Sequence, residues 1–234
     1  MNSIKTPISP KQDLFSLCKE IAQKYDGWVY TAGAFKYKLL KHSDIVVHPL
    51  WSFNGLRGTI RPRVVINNKR VERLFSELTE KEKDDWTFKL NHHLQRPEKY
   101  HAENFQIFRS RNSMEGFKWR DNYLTLDEAA DFIQGVLQDG IEIIEQNYNL
   151  NSERELLENL PEEYETIQGT SYCRLYEEDE GAKYCLARIM LGDFDYIERY
   201  YRDEIKTFRP KHKTDLERII AALPELKKRD FKLG

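Results

Sequence analysis

His42, Asp44 and His48 are the residues whose types and spacing come nearest to catalysis. In an extended segment side chains alternate, so Asp44, Val46 and His48 share one face. A carboxylate beside an imidazole can support acid–base chemistry near neutral pH. The same pattern fits an ordinary strand with a polar edge, and nothing in the sequence completes a triad. His92, His93 and His101 offer imidazoles to a metal, but adjacent histidines do not converge, and no acid or cysteine stands at ligand spacing. Cys18, Cys173 and Cys185 are scattered and lack C-x-x-C spacing, which argues against a zinc site or a disulfide frame. Phosphate loops, dinucleotide fingerprints, H-E-x-x-H and G-x-S-x-G are absent. The expectation is a protein that is not an enzyme, with no catalytic residues, metal or cofactor. An enzyme using Asp44 and His48 is one alternative, and a nucleic-acid-binding protein using the basic N-terminal half is the other.

Charge carries a different message. The chain has 37 Lys+Arg against 39 Asp+Glu, a net of −2, but they are segregated. Residues 1–124 hold 22 bases and 14 acids, residues 125–180 hold 2 and 16, and residues 181–234 hold 13 and 9. The middle block therefore carries −14, interrupted only by Arg154 and Arg174. Solvated helix faces usually mix signs, with Glu paired to Lys four residues on. Unmixed acid can steer a basic partner. Its densest parts are Glu162, Glu163 and Glu165, then Glu177, Glu178, Asp179 and Glu180, and these are the expected partner-binding residues. The basic half has its own candidate surface. Arg57, Arg61, Arg63, Lys69, Arg70 and Arg73 follow Trp51 and Phe53, and cations with aromatics can hold nucleic acid. A pI near 6.3 is low for that role, so nucleic acid is not the expected partner.

The elements that must position these residues follow from pattern. At 234 residues, 40% apolar and rich in aromatics, the chain can bury a real core. No run approaches the roughly 18 apolar residues of a membrane span, and residues 1–11 have no apolar leader, so the cytoplasm is the expected compartment. Ser9-Pro10 opens a helix with Leu14, Leu17, Cys18, Ile21, Ala22 and Tyr25 on one stripe, ended by Gly27. Trp28–Phe35 reads as a strand with a bulge at Gly33, Asp44–Phe53 as a second strand that lies at an edge or breaks at Pro49, and Thr59–Ile66 as a third. Asn54-Gly55 is a turn signal. A short helix follows over Val71–Leu78, Thr79–Asp85 has helical character, and Asn104–Ser110 and Asn122–Leu126 are strand-like.

Thr125-Leu-Asp-Glu128 is a capping box that opens a long helix to about Tyr148. Its apolar residues, Leu126 to Ile144, fall within an arc of about 140°, with Asp127, Glu128, Asp131, Asp139, Glu142 and Glu145 opposite. Gly135 and Gly140 each cost that helix about 1 kcal/mol, so they mark places where another element comes close. Ser152–Glu155 and Thr214–Glu217 are further capping boxes, Gly192 ends a helix over Tyr184–Leu191, and Asp193 caps the next. Residues 125–234 therefore read as nearly all helical, with five helices.

The layout of an N-terminal helix, the segments Phe35–Phe53 and Arg61–Val71, and a helical end with Leu191-Gly-Asp-Phe194 resembles the bacterial α+β immunity-type proteins found beside polymorphic toxins. The resemblance implies a cytoplasmic, non-enzymatic protein that binds and blocks one toxin domain, with no shared catalytic residues to carry over. Many such toxins are nucleases with basic clefts, which concentrated carboxylates can meet by imitating phosphate. The expected fold is α+β. An N-terminal helix and antiparallel sheet over residues 1–124 are packed as one structural unit with a helical region over 125–234. The expected function is inhibitory binding of a basic protein.

Overall fold

The computed structural model describes residues 10–38, 40–54, 57–82, 87–89, 105–114, 118–160, 164–167, 170–173, 179–204 and 210–233. The protein is α+β, with an N-terminal helix, antiparallel strands and a C-terminal region dominated by helices. Its elements gather into two compact units interleaved in sequence. Met1–Lys38, Ile45–Val65 and Leu90–Gln146 form the first, and Leu39–Asp44, Ile66–Lys89 and Asn147–Gly234 form the second. The junction of residues 124 and 125 thus falls inside the first unit.

The first unit opens with α1 (Lys11–Ala22), preceded by Pro10 at the N-cap. Ser9 lies outside the described residues. Leu14, Cys18, Ile21 and Ala22 are buried as the helical period requires, while Leu17 and Tyr25 are half-buried. The helix stops at Ala22, and Gly27, at φ +74°, serves instead as the lead into β1 (Trp28–Thr31). Strand β2 (Ala34–Tyr37) returns antiparallel to it with Thr31 opposite Ala34. Gly33 is therefore a turn residue and not a bulge. Ala32 and Gly33 both have positive φ, 51° and 80°, which a tight hairpin with a right-handed strand twist requires.

The next two expected strands are each cut at a proline. Asp44–Phe53 becomes β3 (Ser43–His48) and β4 (Ser52–Asn54), with Pro49 between them and Leu50 at φ +49°. Thr59–Ile66 becomes β5 (Arg57–Ile60) and β6 (Arg63–Asn68), with Pro62 between them. The halves go to different sheets. One sheet has the order β1-β2-β3-β6-β7, where β7 is Phe88–Lys89. The other has the order β4-β5-β8-β9, where β8 is Phe105–Phe108 and β9 is Tyr123–Thr125. A proline has no N–H for the ladder, so a strand that must continue past one does so by changing direction. The two cuts meet: the Arg61 backbone N–H donates to the Pro49 carbonyl at 2.7 Å. Strands β4 and β5 pair antiparallel, Asn54 opposite Arg57, as the turn signal at residues 54–55 leads one to expect.

Helix α3 (Leu126–Asn147) follows from the capping box: the Thr125 backbone N–H donates to Glu128 Oε2 at 2.7 Å, and the Glu128 N–H to Thr125 Oγ1 at 3.3 Å. Its buried face is turned about 40° from the apolar stripe. Asp139 and Ile143 are buried, whereas Leu126, Ala130 and Ile141 are only half-buried. Gly140 explains the rotation. A Cβ there would lie 2.5 Å from Val47 Cγ2, so the absent side chain sets which face of α3 meets β3. Gly135 has nothing within 4 Å of the equivalent position.

The second unit is built on helices. Asn68 caps α2 (Lys69–Thr79), its side chain accepting from the Arg70 and Val71 N–H groups. Helix α2 ends in a left-handed Glu80 at φ +60°, so residues 80–82 do not continue it, and residues 83–85 of the expected helical stretch lie outside the described residues. Ser152 caps α4 (Glu153–Glu158), accepting from the Glu155 N–H at 3.1 Å. A two-stranded antiparallel ribbon, β10 (Tyr164–Ile167) with β11 (Thr170–Cys173), interrupts what the sequence pattern led us to expect as helix. Then come α5 (Asp179–Met190), α6 (Tyr196–Glu204) and α7 (Pro210–Leu226). Helix α7 starts at Pro210, a favoured first position, and runs through the expected capping box at Thr214. Gly192, at φ +94°, ends α5. Asp193 binds Arg188 at 3.0 Å, and the first carbonyl of the α6 ladder comes from Asp195.

Helix α5 is the axis of this unit and is buried on all sides over residues 181–187, Lys183 included. The Lys183 ammonium, 3% exposed, meets the equally buried Glu72 carboxylate of α2 at 2.8 Å and lies 5.4 Å from the centre of the Phe75 ring. Lys81 approaches that ring at 5.3 Å and pairs with Asp179 and Asp215. An ammonium enclosed like this costs several kcal/mol in lost hydration, which only its partners offset.

The two glycines of α3 give opposite expectations. Gly140→Ala should destabilise the protein by about 1–3 kcal/mol, because the new methyl overlaps Val47. Gly135→Ala should stabilise it by about 0.4–1 kcal/mol through helix propensity alone. Denaturant midpoints of both variants check this. Effects of the same sign would show that Gly140 does not set the contact.

Candidate functional site

The expected acidic surface is divided by the structure. Glu162, Glu163, Glu177 and Glu178 lie outside the described residues. Glu165 is in β10 and Glu180 in α5, both described by backbone alone. Asp179 is held internally: its carboxylate accepts from Lys81 of the same unit. Two further acids of the block serve the fold. Asp139 is buried, and Glu153, 5% exposed, accepts from the His42 N–H at 2.6 Å, Ser43 Oγ at 2.7 Å and Asn68 Nδ2 at 3.2 Å. Glu128 is tied into its capping box and to Arg111, and these bonds hold its carboxyl below the usual range. Glu158 of α4 is exposed but paired with Arg154 at 3.2 Å. The outward acidic stripe among the described residues is on α3. Asp127, Asp131 and Glu145 are exposed on one stripe with half-buried Glu142, on a helix that has no Lys or Arg over its 22 residues.

The histidine–aspartate pair does not assemble. Asp44 is bound to Lys69 at 2.7 Å. His48 stands four residues along the strand, a rise of about 13 Å. Its Nδ1 accepts from the Leu50 backbone N–H at 2.9 Å, which in the neutral ring leaves the proton on Nε2. Burial, with Arg70 nearby, holds the His42 imidazole below its ordinary pKa. His92, His93 and His101 lie outside the described residues. Among the described residues no group of three or more His, Cys, Asp or Glu could hold a metal, and no helix is long and apolar enough to cross a membrane. The basic run is divided as well: Arg57 donates to Gln106 at 2.7 Å in the first unit, while Arg70 donates to the Phe231 and Lys232 carbonyls in the second.

Pattern reading did not anticipate a concavity of about 510 Å³ in the first unit. Helix α1 supplies Lys11, Phe15 and Lys19, which share a face because they are spaced by four. The β1–β2 hairpin supplies Tyr30 and its turn, and β3 ends on the rim at His48. The left-handed Leu50 after Pro49 then turns the chain so that Trp51 and Phe53 complete the wall. Trp51 and Phe53 stack with centroids 5.6 Å apart, and Phe15 meets Phe53 edge-on at 5.7 Å. Trp51 Nε1–H donates to Tyr30 Oη at 2.8 Å, and the Tyr30 hydroxyl bonds Cys18 in turn. Burial pushes the Cys18 thiol up to about 12 and raises the Tyr30 phenol as well, so both stay protonated at neutral pH. The chain of bonds fixes the indole without supplying a nucleophile. The sequence signal was available in Trp51, Phe53 and the i, i+4, i+8 spacing on α1, but nothing local says that these meet.

Comparison with protein-family models, with curated proteins and with solved structures finds no match.

The buried thiol makes an alkaline signature. Its folded pKa lies above the ordinary 9.0, so the stability tied to it is present in full below about pH 9 and lost as pH rises toward 12. Unfolding free energies in urea should fall more steeply over that range for the native chain than for Cys18→Ala, by up to about 1.4 kcal/mol per pH unit. Parallel slopes would place the thiol in water.

Proposed function

We propose that the chain is a non-catalytic binding protein of the immunity type, which captures a basic protein partner, most plainly a toxin domain with a cationic cleft. The observation that carries this reading is the outer stripe of α3, where Asp127, Asp131 and Glu145 stand exposed on a helix without a single base. Carboxylates lined along one rigid helix create a directed negative potential, which raises the association rate of a cationic surface and falls away with salt. The non-catalytic half of the reading is supported by the fate of the titratable groups. Asp44 is paired, His48 accepts from a backbone amide, and Cys18 and Tyr30 are held protonated. The steering surface is assigned to α3 in preference to residues 177–180, because Asp179 already serves Lys81.

The test is affinity capture from the native host with the full chain and with a variant carrying Asp127→Lys, Asp131→Lys and Glu145→Lys, followed by binding kinetics with the captured protein. These substitutions are on the surface and should change stability by no more than about 0.5 kcal/mol each. We expect the variant to associate about tenfold or more slowly near 0.05 M salt, with the gap closing near 0.5 M. Equal association rates at both salts, or a captured partner without a basic face, would contradict the reading.

A further inference from the structure

The aromatic concavity of the first unit has no part in the capture of a basic protein, since its charge has the wrong sign. Its lining contains Lys11 and Lys19 and no carboxylate. The two lysines lie eight residues apart on α1, a rise of about 12 Å, with Phe15 midway between them. Behind this line stand the Trp51–Phe53 stack and Tyr30. The Lys11 ammonium already lies over the Phe15 and Phe53 rings, at 5.5 and 5.7 Å from their centres. We propose that this concavity binds a nucleoside phosphate, with the base against the aromatic wall and the phosphate at the Lys19 ammonium.

Three observations converge on this ligand class. A flat aromatic body suits rings whose orientation is fixed, and the Trp51 indole is anchored by its bond to Tyr30. Base–aromatic stacking is a general mode because every base has a π-face. An anionic head suits a lining in which both ionic side chains are cations. The volume, about 510 Å³, is within the range of small-molecule sites.

Calorimetric titration of the full chain tests the proposal with four probes: AMP, adenosine, inorganic phosphate and a short single-stranded oligo-dA. We expect AMP to bind with a dissociation constant below about 1 mM, and adenosine and phosphate each to bind about tenfold more weakly or worse. Lys19→Glu is on an exposed helix face and leaves the fold intact. It should weaken AMP about tenfold while leaving adenosine unchanged. Trp51→Phe should weaken AMP and adenosine together. Charge reversal on α3 should alter neither, which separates this site from the acidic one. Absence of AMP binding at 10-fold above that limit, or equal binding by Lys19→Glu, would overturn the proposal. Tight oligo-dA binding without AMP binding would overturn it too, and would assign the concavity to single-stranded nucleic acid.

Discussion

Two prolines that cannot donate to a ladder govern how the first unit is built. Pro49 and Pro62 each interrupt a segment with the composition of one continuous strand. Each segment is therefore bent, its first half in one sheet and its second half in the other. The bends are joined by the Arg61 N–H bond to the Pro49 carbonyl, so the corner is held as one feature. Strands that switch sheets at a bend are how two sheets share a corner. The aromatic concavity is a consequence. Had β3 continued straight past His48, Trp51 and Phe53 would share one face farther along that same sheet. The left-handed Leu50 instead brings both against Phe15 of α1.

Close approach plays the corresponding part for α3. Its apolar stripe alone would point Ile141 inward and Asp139 outward, but Asp139 is buried and Ile141 only half-buried. Backbone proximity at Gly140 outweighs the side-chain pattern because a steric overlap is steeper than a few square ångströms of apolar burial. The second unit depends on a different constraint. A lysine in the all-buried helix α5 must find a carboxylate, and Glu72 of α2 supplies it. Both that ammonium and the one on Lys81 lie over the Phe75 ring, whose face is favourable to a cation.

Much of the secondary structure was legible because its signals are local. The capping boxes at Thr125 and Ser152, the antiparallel pairing of Asn54 with Arg57 and the left-handed stop at Gly192 each depend on a few adjacent residues. The α+β class and the five helices among the described residues after 125 follow from the same signals. What was not legible depends on distant residues. The β10–β11 ribbon lies in a stretch without clear alternation, and the strand cuts needed knowledge of which sheet each half would join. The acidic block shows the limit of counting charge along a chain. Asp139, Glu153 and Asp179 look like surface acids in the sequence, and each turns out to serve the interior or an ion pair. The concavity was hidden for the same reason, since residues 11–19, 30–33 and 48–53 meet only in the fold.

The central claim is that a left-handed turn after Pro49 redirects the chain and so forms the corner and its aromatic wall. The sign of φ at Leu50 can be read from two variants that remove the same side chain. In ordinary backbone, glycine is less stable than alanine by about 0.5–1 kcal/mol, whereas in the left-handed region alanine carries a steric cost of about 1–2 kcal/mol that glycine escapes. The decisive measurement is the unfolding free energy of Leu50→Gly against Leu50→Ala in urea. Greater stability for the glycine variant is the expected result. Greater stability for the alanine variant would mean that the turn is not left-handed, and the corner would lose its physical basis.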